Sequence, residues 1–154
     1  MVSLAKVAQS PSAQTGAAKG GAAVAFTPAH ASAALQWLHK MSGADSWNLS
    51  VDEQAELLGG VPKRTYHEWK RRALAGEPVE LSRDTLERLS LLLGIAKALQ
   101  IIAPAERQEL AYRWFTSPNQ NPLFQGLSPK DYAITRGTMD ALYTVRRYYD
   151  AARG

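Results

Sequence analysis

From residue 30 onward the apolar positions recur at helical spacing. Ala31, Ala34, Leu35, Leu38 and Met41 fall on one face, and Gly43 follows as a stop. Ser50 and Glu53 then form a capping-box signature, in which the serine caps the helix and the glutamate reaches back. Val51, Ala55 and Leu58 share the inner face of that short helix, and Gly59-Gly60 ends it. Pro62 suits the first turn of the next helix, because its missing N–H has no partner there anyway. Tyr66, Trp69 and Ala73 form that helix's inner stripe, and residues 75–81 read as a linker or sharp corner. Ser82 caps a long helix lined on one side by Leu86, Leu89, Leu93, Ala96 and Leu99. Pro104 opens another, with Leu110, Ala111, Trp114 and Phe115 as its apolar face, and residues 117–126 break into a loop. Ser128-Pro129 starts a short helix, and beyond Gly137 a last one carries Met139, Leu142, Val145 and Tyr149. No segment alternates with a strand period beside a hairpin signal, so the expected fold class is all-α, without an internal repeat.

Residues 1–29 differ in kind. They are rich in Ala, Gly, Ser, Thr and Gln, bury little apolar area, and read as a mobile tail. The expected organisation is therefore a tail over 1–29, a first helical domain over 30–79 and a second over 80–154. A chain of 154 residues with 45% hydrophobic and 21% charged residues can build a packed core. The absence of cysteine removes disulfides and thiolate metal sites. No stretch is apolar enough to span a bilayer, and Ala22–Phe26 is too short for a signal-peptide core. A cytoplasmic protein without a membrane partner is expected.

The net charge of +4 only tilts the balance towards an anionic partner. Its distribution says more. Between Lys63 and Arg72 stand five basic residues, Lys63, Arg64, Lys70, Arg71 and Arg72, against the single acid Glu68. Two short helices joined by a glycine turn, the second basic, make the pattern of a helix-turn-helix, with Ala55 as the small residue over which the second helix packs. The N-terminal side chains Lys63, Arg64, Thr65 and His67 would reach base edges in a major groove. Lys70, Arg71 and Arg72 would sit nearer to phosphates. Two features weigh the other way: the turn is one residue longer than is commonest, and Glu68 is a poor neighbour for phosphate. A helical hairpin used only for packing is the competing reading.

Chemistry beyond binding has little support. His30, His39 and His67 have no acid or cysteine at a ligand spacing, no glycine-rich phosphate loop follows a strand, and no Ser–His–acid set has a local signature. No enzyme, metal or cofactor is expected.

The stretch from Leu81 carries a more specific pattern: "LSRDTLERLSLLLGIAKALQIIAP", then "AYRWFTSPNQNPLFQGLSPKDYAITRG", then "ALYTVRRYYDAARG". It resembles the toxin-binding domain of the Xre/MbcA/ParS antitoxin family, whose members join an Xre-like helix-turn-helix to this module. The resemblance spans residues from about 30 to the end and rests on Trp114 with Pro118-Asn119, Phe124 with Gly126, Ser128-Pro129 and Arg153-Gly154. It implies an antitoxin of a type II system. The toxin partner would carry a RES domain, an ADP-ribosyltransferase-like fold that consumes NAD by degrading it or by modifying a protein. The antitoxin would occlude that toxin's active site with C-terminal residues, repress its own operon and form a homodimer within a hetero-oligomeric complex. The residues proposed for the toxin cleft are Tyr148, Tyr149, Asp150, Arg153 and Gly154, in a flexible end where an arginine and a carboxylate can stand in for parts of NAD. The Leu86–Leu89–Leu93 stripe and the Trp114–Phe115 face look more apolar than a bundle of this size needs, which points to a dimer surface. Trp114, Phe115 and Phe124 read individually as core. The alternative function is a stand-alone helix-turn-helix regulator whose C-terminal half only dimerises.

Overall fold

The computed structural model describes residues 27–154. Among these residues there are seven α-helices and no strand: α1 Pro28–Met41, α2 Val51–Leu57, α3 Lys63–Leu74, α4 Arg83–Ile102, α5 Glu109–Thr116, α6 Pro129–Arg136 and α7 Met139–Arg153. The tail expected over 1–29 lies outside the described residues except at its end, where the structure moves the boundary. Thr27 already caps α1: its Oγ1 accepts the His30 N–H at 3.1 Å, and His30 Nδ1 accepts the Thr27 N–H at 3.3 Å.

The local stops and starts follow their residues. Ser50 and Glu53 close the expected capping box on α2. Ser82, Ser128 and Thr138 each accept a first-turn N–H of α4, α6 and α7. Gly137 ends α6 at φ 66°, a backbone conformation glycine adopts without a Cβ penalty. Two proline positions differ from expectation. Pro62 is the N-cap residue of α3 rather than its first helical residue. Pro104 leads into a short 3₁₀ turn, Ala105–Arg107, and α5 begins only at Glu109.

The centre of the molecule is α4. Leu91 to Ala96, Ala98 and Leu99 are all buried, so its middle is enclosed on every side rather than lined by one stripe. Its most extensive neighbour is α7, with α5 and α1 also against it, and the helix-turn-helix joins the body by packing α3 on α1 and α2 on α6. Gly94 leaves room for the Arg146 guanidinium of α7, which lies where a Cβ would stand. Trp47, which precedes α2, packs edge-on against Trp37 at 5.6 Å and in a tilted stack on Phe115 of α5 at 4.3 Å. A single hydrophobic core therefore runs from Ala34 to Tyr149, across the boundary expected at 79/80. Residues 75–81 form a pinned corner: Val79 is buried and its N–H donates to the Pro28 carbonyl at 3.1 Å. Leu89, Leu93 and Phe115 are thus buried within one chain, while Leu86 and Trp114 keep partly exposed apolar surface.

Candidate functional site

Two surfaces carry the residues singled out in the sequence. The first is the outer face of α3. Its orientation is set from below by a buried polar chain: the Tyr66 hydroxyl donates to Gln54 Oε1 at 2.6 Å, and Gln54 Nε2 donates to the Leu49 carbonyl at 3.0 Å. Burial pushes the Tyr66 hydroxyl's pKa up, so it stays a neutral donor. Ala73 is buried, its carbonyl accepts from Gln36 of α1 at 2.7 Å, and Trp69 packs half-buried against the core. Gly59 and Gly60, at φ 107° and 75°, make the turn that brings α3 across α2.

With Tyr66 and Ala73 facing inward, Lys63, Arg64, His67, Glu68 and Arg71 line one shallow outward cleft. Of the proposed DNA contacts, Lys63, Arg64, His67 and Arg71 are brought together there. Thr65 is half-buried on the flank, and Lys70 lies to the other side with its Nζ 5.5 Å from the Tyr66 ring centre. The charges are partly answered within the chain. Lys63 pairs with Asp52 at 3.3 Å, Arg72 with Glu77 at 3.6 Å, and Arg71 is gripped by Glu68. The Arg71 hydrogen bonds hold the Glu68 carboxyl below the usual carboxylate range.

The second surface is a groove of about 340 Å³ where α4, α5 and α7 end together. It is lined by Ile102, Trp114, Pro118, Asn119, Tyr148 and Ala152 among others. Asn119 shapes its wall: its side-chain amide donates to the Tyr148 hydroxyl at 3.2 Å, and its oxygen accepts the Asn121 N–H at 2.8 Å. Phe124 is fully buried and braces Tyr148 edge-on at 5.0 Å. Beside the groove on α7, Asp150 accepts from Arg146 Nε at 3.1 Å and lies 3.6 Å from Arg153 Nη1.

The residues proposed for the toxin separate here. Tyr148 and Asp150 are half-buried at the surface, and Arg153 and Gly154 are exposed. Tyr149 lines the floor of the groove and is far less exposed than Tyr148. It is 3% exposed, its hydroxyl donates to the Trp114 carbonyl at 2.7 Å, and it supports the groove from beneath. The chain is also helical through Arg153, so this end is a helix terminus and not the loose segment the sequence suggested. Ile102 and Ala152 were missed. Ile102 had a weak signal, an apolar residue closing a helix just before Pro104, whereas nothing local marks Ala152. No helix among the described residues is long and apolar enough to cross a membrane.

Comparison with known proteins agrees with the first surface. A family model described as "Antitoxin Xre-like helix-turn-helix domain" matches residues 25–94, which takes in α1 to α3 and the first half of α4. The protein y4oB of Sinorhizobium fredii (strain NBRC 101917 / NGR234), described as uncharacterized, is 42% identical over 111 residues, covering 72% of this chain and 78% of the relative. No solved structure matches the chain.

Proposed function

We propose that this chain, which belongs to the family of y4oB and carries an antitoxin Xre-like helix-turn-helix domain, neutralises a RES-domain toxin and represses its own operon. The observation that carries the toxin half of this reading is spatial. Trp114, Pro118, Asn119 and Tyr148, separated by up to 34 positions, converge on one groove that reaches Ala152 in the last turn of α7. Trp114, Pro118 and Asn119 are among the residues on which the resemblance to antitoxin toxin-binding domains rests. An apolar groove rimmed by a hydroxyl and an amide is suited to a protein partner. The exposed last turn of α7 is the part of this surface able to enter a cleft, with Arg153 and Gly154 leading and Tyr148 and Asp150 behind. Tyr149 contributes from the floor of the groove, where it holds α7 against α5.

The DNA half is supported by the family match and by the basic cleft on α3. Arg64 is exposed with no ion pair among the described residues, and Lys70 flanks the cleft, so both are available to a duplex.

Co-expression with a RES-domain protein encoded beside this gene tests the reading. The two should co-purify, and cells should be protected. Removing Ala151 to Gly154, all exposed, should leave the fold intact and restore toxicity. A folded, truncated protein that still protects would overturn occlusion by the helix end. Absence of any complex would overturn the antitoxin assignment.

A further inference from the structure

Arg64, His67, Glu68 and Arg71 follow one another on α3 at positions i, i+3, i+4 and i+7, and all four line the outward cleft. Base-reading side chains on a homeodomain recognition helix have this spacing, because one stripe of a helix faces the groove floor. Within the stripe Arg71 is not a loose cation. Its Nε donates to Glu68 Oε1 at 3.1 Å and its Nη2 to Glu68 Oε2 at 2.7 Å. A guanidinium has two edges able to make paired hydrogen bonds, and Glu68 occupies the Nε–Nη2 edge. The Nη1–Nη2 edge has no hydrogen-bonded partner among the described residues, and the side chain is 60% exposed.

A pair with no net charge releases few counterions, so it gains little by lying against a phosphate. A fork held at one edge is instead suited to an acceptor pair at fixed spacing. Guanine presents such a pair, O6 and N7, on its major-groove edge. We propose that Arg71 reads a guanine through its Nη1–Nη2 edge, with Glu68 as the positioning residue that sets the fork. This rests on the DNA-binding reading above and changes one part of it. Arg71 moves from the phosphate contacts to the base contacts, while Lys70, flanking the stripe, remains a phosphate contact.

The test uses the full chain and a pool of duplexes with a randomised centre, from which bound sequences are selected. Affinities are then measured for the selected duplex and for its single-base changes. Replacing one guanine should weaken wild-type binding by roughly 5- to 150-fold, the range of one bidentate base contact. Substituting 7-deazaguanine at that position, which removes only N7, should weaken it several-fold without any protein variant. Arg71→Lys keeps the charge but not the fork, so it should lose this preference while its salt dependence stays unchanged. Glu68→Ala should lose preference at the same base pair yet bind random duplex more tightly, a split that a merely structural role would not produce. Retention of the guanine preference by Arg71→Lys would overturn the proposal, as would a selected site at which no 7-deazaguanine matters. Wild-type binding without sequence preference would also overturn it and leave the DNA-binding reading standing. No binding to any duplex at low salt would remove both.

Discussion

Tyr148 and Tyr149 are adjacent in the sequence, yet one hydroxyl lies at the groove and the other is sealed beneath it. Burial, with a smaller contribution from Tyr148, pushes the Tyr149 hydroxyl's pKa above its ordinary value, as burial does for Tyr66. A folded-state pKa raised above the unfolded one means that the unfolded chain ionises first. The associated stability is complete below pH 10, the ordinary tyrosine value, and is lost as pH rises from there towards the folded-state value. Each of the two tyrosines should then contribute a slope of about −1.4 kcal/mol per pH unit above that point. Tyr149→Phe should cost about 1 kcal/mol at neutral pH, since the Trp114 carbonyl loses its donor, and should remove one of the two slopes. Urea unfolding of both proteins from about pH 8 to about pH 11 measures this. Parallel curves would show that Tyr149 is not sealed in the folded state.

Between elements, the joint that matters most is polar. Arg88 of α4, largely buried, donates from Nε to Asp84 at 3.0 Å and from Nη1 to the Gly137 carbonyl at 3.2 Å. Its guanidinium also fills the space beside Gly59, where an added Cβ would meet Nε at 3.2 Å. One side chain thus touches the turn of the helix-turn-helix, the central helix and the corner between α6 and α7. Lys130 of α6 makes a second tie, donating to the carbonyls of Trp47 and Asn48 at 3.2 and 3.0 Å. Removing one member of a buried pair is costly, but Asp84 is 59% exposed and regains water. Arg88→Ala should therefore cost about 1–3 kcal/mol in chemical denaturation. Gly59→Ala, strained by its φ of 107°, should combine with it non-additively because both act on the same joint. Strictly additive losses would mean that the turn and the guanidinium do not share one packing arrangement.

For the whole molecule the continuity of the core decides the behaviour. Leu35, Leu38 and Trp37 of α1 belong to the same cluster as Leu92, Phe115 and Val145, and α4 supplies apolar surface to both halves. The chain should unfold in one transition, with calorimetric and van't Hoff enthalpies in agreement. Residues 30–79 expressed alone should lack a stable fold, since their inner faces would lose α4 and α5. Two resolved transitions, or a folded fragment, would instead support the division at 79/80. A single core also means that the two surfaces, though distant in sequence, ride on one body.

Local physics made much of this legible in the chain itself. Caps at Ser50, Ser82 and Ser128, the breaks at Gly59-Gly60 and Gly137, and the inner stripe of Tyr66 and Ala73 all depend on groups within a few residues of one another. The all-helical class and the basic outer face of α3 follow from the same short-range rules. The Glu68–Arg71 grip was also within reach, because residues three apart meet on a helix. What the tertiary structure alone decided are the long-range choices. A helix as uniformly apolar as α4 has no preferred side until its neighbours surround it, so the sequence could not say which of its apolar residues the chain itself buries. Whether Tyr148 or Tyr149 faces outward depends on the Trp114 carbonyl, 35 positions away. The groove exists only because the ends of α4, α5 and α7 meet, and periodicity describes one helix at a time, never where it docks.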